Sequence, residues 1–193
     1  MLTRRGFGLL SAWVCGWTAL WASGAPVAAS DGTAQKGQAA RAPFRFALIE
    51  GGHIDLADLA DRPVLVVNTA SRCGFAAQFD ELQALYDRYR DRGLVVLAVP
   101  SNDFRQELAS NAAVAEFCEV NFGLDLPMTE ITRIRGREAH PFYAWLAREH
   151  GFVPSWNFAK VLIGPDGGFV QGWGPTTGPG SSAITGRIEA LLN

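Results

Sequence analysis

Val64-Leu-Val-Val-Asn-Thr-Ala-Ser-Arg-Cys-Gly-Phe-Ala-Ala-Gln-Phe79 decides the fold. The apolar run from Val64 to Asn68 reads as a strand covered on both faces, since such strands lose the apolar–polar alternation. From Gln78 to Arg92, Phe79, Leu82, Leu85, Tyr86 and Tyr89 recur at helical spacing, and Gly93 ends the pattern. Leu94 to Val99 is a second buried strand. Together they predict a βαβ unit with parallel strands and a right-handed crossover. Cys73 falls where the strand hands over to the helix. Backbone N–H groups and the positive end of the helix dipole would converge on its sulfur there, favouring the thiolate, and Arg72 adds a positive charge. A buried structural cysteine is the alternative, because free Cys is among the most buried residue types.

Outward from this unit the remaining elements follow. Phe44–Leu48, the Gly-rich Glu50-Gly-Gly-His53 and Ile54 predict a β-hairpin, and Leu56–Leu59 a short helical turn. Ser110 is an N-cap for a helix to about Asn121 with Val114, Phe117 and Cys118 on one face, and Gly123 stops it. Met128–Ile134 is a predicted strand. Ala139–His150 is a predicted helix with Pro141 in its first turn. Lys160–Ile163 and Gly168–Gly172 flank the turn Pro165-Asp-Gly-Gly168, and Ser181–Leu192 is a terminal helix. The order describes an α/β, thioredoxin-like sandwich: a central mixed sheet flanked by helices, with an N-terminal β-hairpin.

The chain has 193 residues, 48% hydrophobic and 19% charged, which fits one domain with a sizeable core. No basic patch suggests nucleic acid. Residues 1–29 read as an export signal. Thr3-Arg-Arg-Gly-Phe7 is twin-arginine-like, although Gly8 leaves the Sec route open, and an apolar stretch from about Leu9 to Ala22 follows. Val27-Ala-Ala29 before Ser30 is a cleavage site of the usual small-residue kind. A membrane anchor is the alternative; the stretch is shorter than the ~20 residues a spanning helix needs. Cleavage would remove Arg4, Arg5 and Cys15, take the formal net charge from −2 to −4 and leave Cys73 and Cys118. Residues 30–43 read as a flexible leader and 44–193 as the folded domain. The cysteines and the histidines His53, His140 and His150 show no metal-ligand spacing, so neither a metal nor a cofactor is expected.

Asn68-Thr-Ala-Ser-Arg-Cys-Gly-Phe75 resembles the peroxidatic-cysteine motif of glutathione peroxidases. So do Val99-Pro-Ser-Asn-Asp-Phe104 with Gln106-Glu107, Glu116-Phe-Cys-Glu-Val-Asn-Phe-Gly123, Ala139-His-Pro-Phe-Tyr143, Trp156-Asn-Phe-Ala-Lys160 and Pro175-Thr-Thr177. The resemblance runs from about Phe44 to Leu192, with five motifs in order and Pro175-Thr-Thr177 as a sixth fit near the end. It implies a catalytic group of Cys73, Gln106, Trp156 and Asn157, in which Cys73 attacks the peroxide and the three uncharged donors stabilise thiolate and leaving oxygen. Taken singly, Trp156 would be a core aromatic, Gln106 a solvated loop residue and Asn157 a turn residue. Cys118 stands where thioredoxin-dependent members carry a resolving cysteine. It would attack a Cys73 sulfenic acid and form a disulfide, for which its helix has to unwind locally. A cysteine packed beside Phe117 is the alternative.

The sequence departs from the family around Gln106. Only Arg105 separates Phe104 from Gln106, so the loop is one residue shorter; Leu108-Ala109 replaces Pro-Gly, and Asp103 stands where Gln is more usual. Ser101 replaces a cysteine often found there. The short segment between Leu146 and Trp156 lacks the insertion of tetrameric members, which implies a monomer with an open site for hydrogen peroxide and bulkier organic or lipid hydroperoxides. With Cys118 present, a thioredoxin-like protein is expected as reductant, with glutathione as the other candidate. The rival readings are a redox sensor or relay using the same cysteines, a disulfide reductase, which the lack of CxxC opposes, and a non-catalytic binding module.

Overall fold

The computed structural model describes residues 43–192. The export-signal and leader readings therefore lie outside the described residues. The hairpin pairs β1 (Arg45–Ala47) antiparallel with β2 (His53–Asp55), Phe46 opposite Ile54. A 3-10 turn at Leu56–Leu59 follows, capped by the Asp55 carboxylate on the Ala57 N–H at 2.9 Å. The main sheet comprises β3 (Val64–Thr69), β4 (Val95–Pro100), β5 (Lys160–Ile163) and β6 (Phe169–Trp173), in the order β4-β3-β5-β6. The β3–β4 pair is parallel and the other two pairs are antiparallel, so the sheet is mixed. The helices are α1 (Gln78–Tyr89), α2 (Asn111–Phe122), α3 (Pro141–His150) and α4 (Ser182–Leu191). The fold is thioredoxin-like, and the βαβ unit stands as the opening stretch predicts.

Every residue of β3 and β4 is buried, which explains their unbroken apolar character. Their side chains alternate between two cores. Leu65, Val67, Val96 and Ala98 pack with Phe79, Leu82, Leu85 and Tyr89 of α1, with α2 and with α4. Val64, Val66, Val95, Leu97 and Val99 pack with Phe142, Tyr143 and Leu146 of α3 and with Phe46 of the hairpin. A one-residue slip of β3 would exchange the two sets. In β6 the sheet needs a glycine: a Cβ on Gly172 would stand 2.4 Å from the Phe152 ring.

One predicted element does not form as such. Between Met128 and Ile134 only isolated bridges appear, Met128 to Ala98 and Thr129 to Leu48. The sequence suggested a strand, but the segment's N–H groups divide between Ala98 and Pro100 of β4, Ala47 of β1 and nearby side chains. Asn111 Oδ1 accepts from the Ile131 N–H at 2.9 Å, and Asp103 Oδ2 accepts from Ile134 and Arg135 at 2.7 and 2.9 Å. The helix expected to Arg92 is α-helical to Tyr89 and closes as a 3-10 turn before Gly93, whose φ is 108°.

His140 caps α3 and ties it to the hairpin. Its Nδ1 accepts from the Phe142 N–H at 3.3 Å, its Nε2 donates to the Arg45 carbonyl at 2.9 Å, and its ring stacks on Phe46 at 3.9 Å. Burial lowers its pKa below 6.5, the Arg45 bond opposing. The unfolded chain therefore binds the proton more readily, and stability falls as pH drops through about 6.5. Protonation would also convert the Nδ1 acceptor into a donor facing an N–H. His140→Asn is expected to flatten the denaturant-midpoint slope between pH 7 and 5, because Asn keeps the cap without titrating.

Candidate active site

β3 delivers Cys73 through a series of tight turns. The Cys73 N–H donates to the Ala70 carbonyl at 3.3 Å, and the Cys73 carbonyl accepts from Ala76 at 2.9 Å. Further turns, Gln78 to Phe75 and Phe79 to Ala76, lead into α1. Cys73 is 6% exposed, and its sulfur accepts the Phe75 N–H at 3.5 Å. The sequence predicts several N–H groups at the helix dipole. The structure places the Phe75 N–H on the sulfur, and the turns from Cys73 to Ala77 separate it from the first residue of α1. Arg72 is exposed beside it.

The loop after β4 supplies Gln106. Asn102 accepts the Arg105 N–H on its carbonyl at 2.9 Å and the Glu107 N–H on its Oδ1 at 3.2 Å, while Arg105 takes φ 60°. That left-handed residue turns the chain between Phe104 and Gln106. The Gln106 carbonyl accepts the Arg72 N–H at 2.9 Å, which joins the loop to the residue preceding Cys73. The shortened loop thus still brings Gln106 to the site.

Trp156 and Asn157 arrive on the turn before β5. Asn157 is fully buried, and its Nδ2 donates to Gln106 Oε1 at 2.9 Å. With that oxygen engaged, the Gln106 amide hydrogens remain to donate. Trp156 is 39% exposed and lies tilted against Phe104, ring centroids 5.1 Å apart. Gln106 and Asn157 are thus hydrogen-bonded, Trp156 precedes Asn157 and lies against Phe104 of the Gln106 loop, and the Arg72–Gln106 bond ties that loop to the residue before Cys73.

Cys118 stands apart. It sits in α2, 2% exposed, its thiol free and in the same apolar cluster as Cys73. Burial pushes its pKa up to about 12, with the Glu107 charge contributing. Only Val114 and Cys118 of α2 are buried.

Three further residues shape the site. Asn68, last but one in β3, clamps the tryptophan turn: its Nδ2 donates to the Trp156 carbonyl at 3.1 Å, its N–H to Ala159 at 3.2 Å, and its carbonyl accepts from Phe158, which takes φ 63°. A polar residue closing an apolar strand was the available signal. Asn68→Ala is expected to lower turnover about 10-fold or more by releasing Trp156 and Asn157, read as kcat against peroxide. Lys160 is fully buried; its ammonium donates to Gln78 Oε1, to Thr177 O at 2.7 Å and to Pro175 O at 3.3 Å. It fastens the 175–177 loop to the start of α1. Burial lowers its pKa to about 8, against the pull of Glu81. Glu107, 6% exposed, accepts the Ser71 N–H at 3.0 Å. Among the described residues no cluster of His, Cys, Asp or Glu could hold a metal ion.

The glutathione peroxidase family model matches residues 43–147. The chain belongs to the glutathione peroxidase family. It is 41% identical over 154 residues to the glutathione peroxidase homolog BsaA of Halalkalibacterium halodurans, covering 77% of this chain and 97% of that one. It is 37% identical over 160 residues to the hydroperoxy fatty acid reductase gpx1 of Synechocystis, covering 77% and 94%. Among solved structures, Trgpx in its apo form superposes with a TM-score of 0.62 at 30% identity, covering 78% of this chain and 93% of that one. A secreted disulfide oxidoreductase of Mycobacterium tuberculosis shares the fold alone, at a TM-score of 0.54 and 18% identity over 77% of this chain and 96% of that one. The family makes this chain a thiol peroxidase, an oxidoreductase acting on hydroperoxides with a thiol reductant.

Proposed function

We propose that the chain reduces hydrogen peroxide and organic or lipid hydroperoxides at Cys73 and resolves the product with Cys118. The Cys73 thiolate attacks one peroxide oxygen, the O–O bond breaks, and the other oxygen leaves as alkoxide or hydroxide and takes a proton. The sulfur is oxidised by two electrons to sulfenic acid and the peroxide is reduced to alcohol or water. Donors from Gln106, Trp156 and Asn157 stabilise the leaving oxygen. Cys118 then attacks the Cys73 sulfur, forming the disulfide and releasing water.

One observation carries the reading: the Asn157–Gln106–Arg72 chain of hydrogen bonds beside Cys73. The exposed Trp156 against Phe104 offers an apolar rim for a bulky hydroperoxide. The cyanobacterial relative named a hydroperoxy fatty acid reductase supports the same substrate range. Support for Cys118 comes from the few buried side chains that hold α2, since helices with little buried area open at low cost. A thioredoxin-like protein is the favoured reductant and glutathione the other. We also infer a monomer, and export to the periplasm through residues 1–29 on the sequence pattern alone; a periplasmic enzyme would need a membrane-relayed electron donor. No helix among the described residues is long and apolar enough to cross a membrane.

Intact mass after one equivalent of peroxide tests the scheme. The wild type is expected to lose two hydrogens, and Cys118→Ser to gain one oxygen. Gain of oxygen in the wild type without loss of hydrogens would remove Cys118 from the scheme. A redox relay would instead consume little peroxide with a reducing system and form mixed disulfides.

A further inference from the structure

Glu107 is a buried carboxylate that neither binding nor the first chemical step uses. Its Oε1 accepts the Ser71 N–H at 3.0 Å and the Leu108 N–H at 2.8 Å, and its own N–H donates to Asn102 Oδ1 at 3.2 Å. The side chain is therefore held against the turn that carries Cys73. Its second oxygen, Oε2, is buried without a hydrogen-bond partner. Leu108, the next residue, packs on the apolar cluster that contains both Cys73 and Cys118. A buried lone pair left empty costs about 1–3 kcal/mol, so its retention calls for a use.

We infer that Glu107 Oε2 is the proton acceptor for the Cys118 thiol in the resolving step. The inference rests on the reading of Cys118 as the resolving cysteine. Cys118 has to become a thiolate, yet burial and the Glu107 charge oppose free ionisation. Transfer to a carboxylate at hand removes that obstacle, because charge moves from oxygen to sulfur and no extra charge is created in the apolar cluster. Cys118 comes within reach when α2 opens and its thiol travels toward Cys73. The S–H bond breaks and the proton passes to Oε2. The sulfur then attacks Cys73, the S–S bond forms and the S–O bond of the sulfenic acid breaks. The departing hydroxide takes the proton back from Glu107 as water, so the carboxylate is regenerated. Peroxide is the only oxidant required.

Glu107→Gln keeps an oxygen to accept from Ser71 and Leu108, but an amide cannot accept the proton. The lifetime of the Cys73 sulfenic acid, followed by trapping and intact mass after one equivalent of peroxide, is expected to lengthen at least about 10-fold at pH 7. Disulfide formation in the variant should then climb about tenfold per pH unit from 6 to 8, as expected for a free thiol titrating far above that range, while the wild type varies little. A lifetime unchanged or shortened in Glu107→Gln would overturn the inference, and shortening would mean that the carboxylate only opposes ionisation. Glu107→Ala, which also frees the Ser71 N–H, separates a purely structural role: that role makes Ala defective and Gln like wild type. Should Glu107→Gln not fold, a tenfold rise per pH unit in the wild-type rate itself overturns it. Failure of the resolving assignment is distinguishable, because the wild type would then form no disulfide at all.

Discussion

Cys73→Ser is expected to bring peroxide consumption down to the uncatalysed level, a loss of at least about 10³-fold, since removal of a nucleophile abolishes the step that other groups only assist. The loss should come without unfolding. Cys73 accepts one N–H, from Phe75, and a serine hydroxyl can accept the same bond. The surrounding turns are held by main-chain hydrogen bonds that the substitution does not touch. Trp156→Phe and Asn157→Ala remove donors, so their losses should be smaller, about 10- to 10³-fold. Consumption of hydrogen peroxide with excess dithiothreitol, alongside a melting curve, gives both readings. More than a few per cent residual turnover in Cys73→Ser would move the chemistry to another group.

The second large effect is on stability. Lys160→Met deprives Gln78 Oε1 and the Thr177 carbonyl of their buried donor, while the Pro175 carbonyl keeps the Gln78 Nε2 bond at 2.8 Å. Two orphaned acceptors imply a loss of about 2–4 kcal/mol, or roughly 5–12 °C in melting temperature for a domain of this size. Its pH signature has a defined sign. The folded pKa of about 8 lies below the ordinary 10.5, so the unfolded chain binds the proton more tightly within that window. The wild type therefore gains stability from this group as pH rises from about 8 toward 10.5. The methionine variant should lack that rise, as denaturant midpoints at pH 7.5 and 10 would register.

Lys160 also illustrates what was legible in the sequence. The strand Lys160–Ile163 was evident from its apolar residues, but nothing local told that the lysine at its head points inward to three acceptors 15 to 82 positions away. β3 and β4 were legible because burial on both faces leaves short apolar runs rich in β-branched residues and bounded by turn signals. The 128–134 segment forms no strand because its hydrogen bonds divide among the β4 and β1 backbones and the side chains of Asp103 and Asn111, partners that a local pattern cannot reveal. At the site, Cys73, Gln106, Trp156 and Asn157 were readable together through the family resemblance. How the shortened loop still presents Gln106 was not, since it depends on Arg105 adopting a left-handed conformation that its residue type does not announce. Asn68 and Glu107 lay inside the recognised motifs, yet their work is to hold other groups, which only the folded geometry displays.

Helix α2 ends at Gly123 in the left-handed conformation, and the Cys118 carbonyl accepts the Leu124 N–H at 3.4 Å as part of that closure. The residue that carries the second sulfur is thus also a fastening of its own helix. In the proposed resolving step, drawing Cys118 toward Cys73 would undo the C-terminal part of α2 and could leave the Ser110 cap in place. The amides of residues 118–124 should then exchange with deuterium faster in the oxidised protein, making this short stretch a record of how many electrons the enzyme holds.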